Sequence, residues 1–273
     1  MTALQPQFVI SSPQNNRIKG LLKLRERKTR LSRGVFGVEG SREISHALLA
    51  GFELKEFFYC PTRMSEAAME IVGEAQQKIG SSTAIEVSDS VYERIAVRES
   101  ADGIIGVFKA NERALATLSL PAFPLILAVH KMEKPGNLGA LLRTCDATGV
   151  DAVVLVDECV DPFNPNVIRA SIGTVFQTPV VSATSAEFAE FCGDSDIQIV
   201  AAIIGPESQH YSEVNFRRGT AVLLGSEAYG LGDYWQEKTD VAVQIPMQGV
   251  ADSLNVSTAG AVILYEAVRQ RAN

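Results

Sequence analysis

Asn137 and Arg143 stand six residues apart in "EKPGNLGALLRT" (133–144), behind a Pro-Gly pair, and bring a carboxamide and a guanidinium to one junction. A planar guanidinium suits a phosphate or a developing oxyanion, and a carboxamide can orient either partner. A second stretch, "LLGSEAYGLG" (223–232), spaces its glycines G-x-x-x-x-G-x-G around Glu227, a residue able to anchor the loop. That spacing is neither the dinucleotide fingerprint nor a Walker A loop, so a classical dinucleotide or triphosphate is not expected. The third, "IPMQGVADSLNVSTAG" (245–260), begins like a strand end at Pro246 and finishes like a helix start. Gly249 permits a sharp turn, and Asp252 or Ser253 can cap the helix that follows. Asn137 can do the same for the helix of the first stretch. Taken singly, the first stretch also reads as an ordinary capped helix with a surface arginine, and the third equally well as a capped loop-to-helix junction.

All three stretches need strands to carry them. "LILAVH", "AVVLV", "PVV", "IQIVAAII", "TAVLLG" and "VAVQIP" are short and mostly apolar, and they alternate with helical segments such as "NLGALLRTCDATG" and "SLNVSTAGAVILYEAVRQR". Near-continuous apolar strands belong to parallel sheets covered on both faces, so residues 124–273 are expected to form a doubly wound parallel sheet. In such sheets ligands bind beyond the carboxyl ends of the strands, where the three stretches fall. Residues 1–110 show a second strand–helix alternation and are expected to form a smaller α/β domain. The small, polar, proline-ended stretch 111–123 is expected to link the two.

The net charge of −7 is unevenly spread. Residues 1–45 hold nine Lys/Arg against three Glu, a net of +6, which leaves −13 on the rest. "NNRIKGLLKLRERKTRLSRG" reads as one amphipathic helix from Asn15 to Arg33, with Ile18, Leu21 and Leu22 on the apolar side. Its Arg17, Lys19, Arg25, Arg27, Lys28 and Arg30 could meet phosphates; the alternative is a solvated helix face. Arg169 in "NVIRASIG" is another phosphate candidate, or else a structural arginine. Four cysteines without a C-x-x-C pair and three histidines supply no metal-ligand spacing, so no metal is expected. No apolar run reaches the ~18–20 residues that span a bilayer, and the first residues lack a signal-peptide pattern. A cytoplasmic protein is expected, with no membrane partner.

The ordered motifs N-x-G-x-x-x-R, L-x-G-x-E-x-x-G-L and I-P-M-x-G-x-x-x-S-L-N-V-S resemble those of the SpoU/TrmH-type RNA 2′-O-ribose methyltransferases, of the SPOUT class. The likeness runs from about Leu125 to Arg271. "NNRIKGLLKLRERKTR" and "GVFGVEGSREI" resemble the ribosomal-protein-like substrate-binding domain that precedes many such enzymes. After "SLNVS" the family commonly continues Val-Ala, whereas this chain has Thr258-Ala259. The resemblance implies a C-terminal domain with a trefoil knot, an exception to the usual absence of knots, and a homodimer. It implies S-adenosylmethionine as cofactor, held at Leu224, Gly225, Ile245, Met247 and Leu254. It implies Arg143 in the central catalytic role, as base or electrostatic stabiliser, with Asn137, Glu227 and Asn255 beside it. Ser253 would brace the third loop or touch the RNA. The two-domain layout favours structured ribosomal RNA over transfer RNA; an RNA-binding assembly factor of the same fold and a small-molecule methyltransferase are the other readings.

Overall fold

The structure, a computed structural model, describes residues 9–79, 84–97, 102–111, 114–226 and 230–272. It forms two compact units: Met1–Asn111 joined by Phe163–Gln177, and Glu112–Pro162 joined by Thr178–Asn273.

The first unit runs β1 (Val9–Ile10), α1 (Asn16–Lys23), α2 (Arg27–Arg33), β2 (Val35–Glu39), α3 (Ser41–Leu49), β3 (Leu54–Tyr59), α4 (Glu66–Ile79), β4 (Ala84–Val87), α5 (Asp89–Ile95) and β5 (Ile104–Lys109). Its five-stranded sheet has the order β1-β4-β3-β5-β2 and is mixed, because β5 pairs antiparallel with both β2 and β3. Ile18, Leu21 and Leu24 bury the apolar side of α1 in a core with Phe58, Ile85, Tyr92 and Ile105.

The single basic helix expected over Asn15–Arg33 is two helices. The break lies at Leu24–Glu26, where two arginines hold carbonyls released by helix ends. Arg30 donates to the oxygens of Leu24 (2.8 Å) and Arg25 (2.9 Å), and Arg25 donates to Ile95 O at the end of α5 (2.9 Å). Arg30 is only 4% exposed. It is a structural cap and is therefore removed from the expected phosphate contacts.

The second unit runs β6 (Leu125–His130), α6 (Pro135–Thr148), β7 (Ala152–Val156), then, after α7 (Pro165–Ala170), β8 (Val180–Ala183), α8 (Ser185–Asp194), β9 (Gln198–Ala202), β10 (Gln209–His210), β11 (Thr220–Leu224), α9 (Asp233–Lys238), β12 (Val241–Gln244) and α10 (Val256–Arg271). Its seven strands take the order β10-β12-β9-β11-β6-β7-β8, and every pair is parallel. This is the sheet the apolar runs predicted, with the short edge strand β10 added. The stretch read as a linker packs here: Leu115, Leu118 and Leu120 lie against the core of this unit.

Residues 163–177, expected in the C-terminal domain by contiguity, belong to the first unit. Aromatic packing explains the difference. Phe163 stacks on Phe36 with centroids 4.1 Å apart, and Phe176 meets Phe52 edge-on at 5.2 Å. Arg169 on α7 goes with this segment.

The last helix is fastened at its end. Arg271 donates to four carbonyls, those of Phe123 (2.8 Å), Pro124 (3.0 Å), Phe216 (2.8 Å) and Arg218 (2.8 Å). Arg271→Ala leaves those oxygens without their partner and is expected to cost about 1–3 kcal/mol. Thermal denaturation followed by circular dichroism should show Tm lower by about 2–4 °C per kcal/mol; an unchanged Tm would contradict this.

Candidate active site

The carboxyl ends of β9, β11 and β12 open on a cavity of ≈ 640 Å³. It falls within the roughly 300–1,000 Å³ usual for small-molecule sites. Leu224, Gly225, Ile245, Met247 and Leu254 all line it, as do Ser253 and Asn255. The second and third motifs therefore share one cavity. Thr258 is exposed near the start of α10, while Ala259 beside it lines the cavity.

Local chemistry explains how each motif is held. Pro135 is the first residue of α6, where its fixed φ is preorganised and its missing N–H costs nothing. Asn137 is consequently inside the first turn and is not the cap. The long helix begins at Val256, capped by Asn255, not by Asp252 or Ser253. Asn255 Oδ1 accepts from Ser257 N (3.0 Å) and Ser257 Oγ (2.6 Å). Asn255 Nδ2 in turn donates to Asn137 Oδ1 (3.3 Å), so the starts of α6 and α10 are bonded to each other.

The second motif owes its shape to a close approach. A Cβ on Gly225 would lie 2.5 Å from the Gly230 carbonyl carbon and 2.8 Å from Leu231 N. Gly230 N donates to Ser226 O (3.0 Å), and its φ of +61° is one that glycine adopts without cost. Glu227 lies outside the described residues. Gly260 plays a similar part in α10, since a Cβ there would meet Leu141 Cδ2 at 2.5 Å and Leu224 Cδ1 at 2.9 Å.

Arg143 is exposed on α6, about 9 Å along the helix axis from Asn137. It is not among the residues lining the cavity and makes no hydrogen bond or ion pair with the described residues. Arg17, Lys19, Arg27 and Lys28 are exposed on α1 and α2; Arg25 is exposed too but tied to the end of α5. Among the described residues Arg169 hydrogen-bonds only to Asn166 Oδ1, at 3.4 Å.

A polar clamp holds the neighbouring strand ends. His130 Nε2 lies 3.0 Å from Asp157 Oδ2, and Asp157 accepts from Ser185 N (2.9 Å) and Ser185 Oγ (2.8 Å). Burial holds the imidazole below its usual value, although Asp157 works the other way. For Asp157 burial pushes upward, but the bonds from Ser185 and His130 win and keep its carboxyl below the usual range. The clamp joins β6, β7 and α8 behind the loop that leads to α6.

Several lining residues are not among those the motifs single out. Ala202 ends β9 and Ile203 and Ile204 follow it, Gln236 comes from α9, and Lys134 precedes α6. The carboxyl-edge rule points to the end of any strand, but only the strand order shows that β9 lies between β11 and β12. Among the described residues no group of His, Cys, Asp and Glu could hold a metal, and no helix is long and apolar enough to cross a membrane.

Comparison with known proteins agrees with this arrangement. Residues 124–265 match the model of the SpoU rRNA Methylase family, and residues 15–106 match that of the MRM3-like substrate binding domain. The 23S rRNA (guanosine(2553)-2′-O)-methyltransferase RlmP of Bacillus subtilis is 28% identical over 94% of this chain and 97% of its own. The AdoMet-bound rRNA methyltransferase of Sinorhizobium meliloti superposes with a TM-score of 0.87 at 27% identity, over 96% of this chain and 97% of that one. A crystal structure of an RNA 2′-O ribose methyltransferase gives a TM-score of 0.83 at 38% identity, over 97% of this chain and all of that one. With its three ordered motifs, its parallel sheet and a family match over more than half its length, the chain belongs to the SpoU rRNA Methylase family.

Proposed function

We propose that the protein transfers a methyl group from S-adenosylmethionine to a ribose 2′-hydroxyl of ribosomal RNA. The observation that carries this is the meeting of the second and third motifs on one cavity, with the first bonded to its rim through Asn137 and Asn255. The cavity fits the cofactor in size, and it is apolar along Leu224, Ile245, Met247 and Leu254, as an adenine face requires. Gly225, with no room for a side chain, leaves strand-end backbone groups for a heterocycle's edge. Those five residues would hold the group.

Bound there, S-adenosylmethionine supplies a methyl already activated by its positive sulfonium. The protein's own work is to orient the hydroxyl and to stabilise charge as it develops on oxygen. We assign the second task to Arg143. A guanidinium remains a cation at working pH, so it acts as a stabiliser and a phosphate grip, not as a base. Asn137 and Asn255, joined at 3.3 Å, keep α6 and α10 in register so that Arg143 and the cavity are held as one site. Ser253 on the rim, and Glu227, are assigned to positioning the nucleotide and its loop.

In this reading the first unit grips structured RNA through Arg17, Lys19, Arg27 and Lys28, with Arg25 and Arg169 in support. Phosphate contacts of this kind set affinity and leave shape to set the target. Ribosomal RNA is favoured over transfer RNA because two relatives matched over nearly the whole chain, first unit included, are named for 23S rRNA, while a third is named for tRNA and rRNA alike. The protein would work in the cytoplasm as a homodimer built on a knotted second unit, with α10 at the contact.

Mapping of 2′-O-methylation across ribosomal RNA, from cells with and without the protein, tests the reading. One ribose that loses its methyl without the protein and regains it on re-expression supports it. An unchanged ribosomal map with a lost methyl in transfer RNA would redirect it, and no lost methyl in any RNA would overturn it.

A further inference from the structure

A second, smaller hollow lies wholly within the first unit. Its floor is aliphatic, made by Leu21 and Leu24 of α1, Ile95 of α5, Ile105 of β5 and Ile168 of α7. Arg25 and Arg169, both exposed, also line it. So does Gly37 on the edge strand β2, where a side chain is missing from the face it shares with Val35 and Glu39. A glycine inside a strand weakens it, and it commonly marks a bulge or a place where a ligand or another backbone approaches. The chain itself does not call for this one. Its register with β5 is unbroken from Val35 to Glu39, and its φ is not left-handed. Beyond its chain neighbours, a Cβ there would meet only Leu21 Cδ1, at an ordinary 3.8 Å. What remains is the approach of something from outside the chain.

We infer that this hollow seats one unstacked base of the RNA, with the phosphates on either side of that base at Arg25 and Arg169. The inference rests on reading the first unit as an RNA grip, and it adds a point of selectivity to that grip. Size, surface and charge select this occupant. The hollow measures ≈ 50 Å³, the room of about three to five waters; it takes the edge of a planar ring and shuts out a helix or a folded loop. Its aliphatic floor suits the ring, and guanidinium planes stack on splayed-out bases. Arg25 is already set in place, because its Nη2 donates to Ile95 O (2.9 Å) and Ala96 O (3.2 Å). Arg17, Lys19, Arg27 and Lys28 are exposed on α1 and α2, the helices that flank Arg25, and attract the strand that carries the base. Glu39, the one acidic residue among the described lining residues, accepts from Val97 N (2.7 Å). A neutral ring sits beside that carboxylate without repulsion, whereas a phosphate in the same place does not. Phosphate contacts carry no sequence information, while unstacked bases in loops and bulges do.

Equilibrium binding to the full chain tests this with a short single strand of abasic ribose phosphates that carries either no base or one central base, each of the four in turn. The wild-type protein should bind at least one base-bearing strand about 10-fold tighter than the abasic strand, within the range that single base contacts supply. Gly37→Val fills the hollow and should erase that preference, while affinity for the abasic strand and for S-adenosylmethionine stays unchanged. Its Tm should hold or rise, since a β-branched residue suits a strand and occupies open space. If valine unfolds the sheet, Gly37→Ala takes its place, because its methyl meets Leu21 at ordinary contact distance, and it should reduce the preference. Wild-type protein that binds all the strands equally overturns the inference and leaves the RNA grip standing. A preference that survives unchanged in a folded Gly37→Val also overturns it. Protein that binds neither these strands nor a 23S rRNA transcript overturns the RNA grip itself, and the inference with it.

Discussion

Replacing Arg143 with alanine should lower kcat for methyl transfer by about 10²–10³, the usual loss when one preorganised group that stabilises developing oxyanion charge is removed. The same substitution should leave cofactor affinity and Tm nearly unchanged. Both halves of that expectation come from position. Arg143 is exposed and bonded to none of the described residues, so its truncation removes no partner from the fold; surface changes of that kind usually stay within ±0.5 kcal/mol. It also stands off the cavity wall, so nothing it touches should alter how S-adenosylmethionine sits. Single-turnover transfer to ribosomal RNA, calorimetry with the cofactor and thermal denaturation, all on one preparation, separate the contributions. Arg143→Lys keeps the charge but loses the planar fork, and should recover only part of the rate. Near-wild-type turnover in Arg143→Ala would remove the residue from the catalytic role. A fallen cofactor affinity would move it to the binding site.

The sequence carries the site's composition further than its construction. The family resemblance implies Leu224, Gly225, Ile245, Met247 and Leu254 as the cofactor's contacts, and all five line one cavity. Motif order preserves which residues meet, because they sit at strand ends that the parallel sheet brings to one edge. Which residue opens or caps each helix is not legible in residue type alone. Asp252, Ser253 and Asn255 are all good caps by type, and only the loop's path lets Asn255 reach Ser257. In the first stretch Pro135 was itself a start signal, and its weight as the opening helical residue outranks a cap read at Asn137. Arg30 shows a different limit. Periodicity treats every arginine in a charge run as solvated, yet a guanidinium can be drawn inside to hold the carbonyls at a helix end. The transfer of 163–177 to the first unit is a tertiary effect, made by Phe163 and Phe176 on Phe36 and Phe52. Nothing within ten residues of Phe163 announces it.

The second large effect is expected at Gly225, where no side chain fits. A Cβ there would come within 2.5–2.8 Å of three backbone atoms of Gly230 and Leu231. Backbone cannot rotate away as a side chain end can, so Gly225→Ala must push the Gly230–Leu231 segment outward or tilt the end of β11. Either movement deforms the cavity, because Gly225, Gly230 and Leu231 all line it. Overpacking of this kind costs about 1–3 kcal/mol. If that strain is relieved by displacing the cavity wall, the Kd for S-adenosylmethionine should rise about 10- to 100-fold. Gly249→Ala is the matched control, since a Cβ at that loop position meets nothing within 4 Å; its affinity should equal the wild type's. Calorimetry on the two variants, with denaturation curves to register any loss of fold, decides the matter. An unchanged Kd in Gly225→Ala would mean that the close approach at Gly230 is not what shapes the cofactor's wall. Weakened binding in both variants would place the sensitivity in the third loop as well. The contrast between the two glycines thus tests whether the second motif is built around one backbone contact, which its letter pattern alone does not reveal.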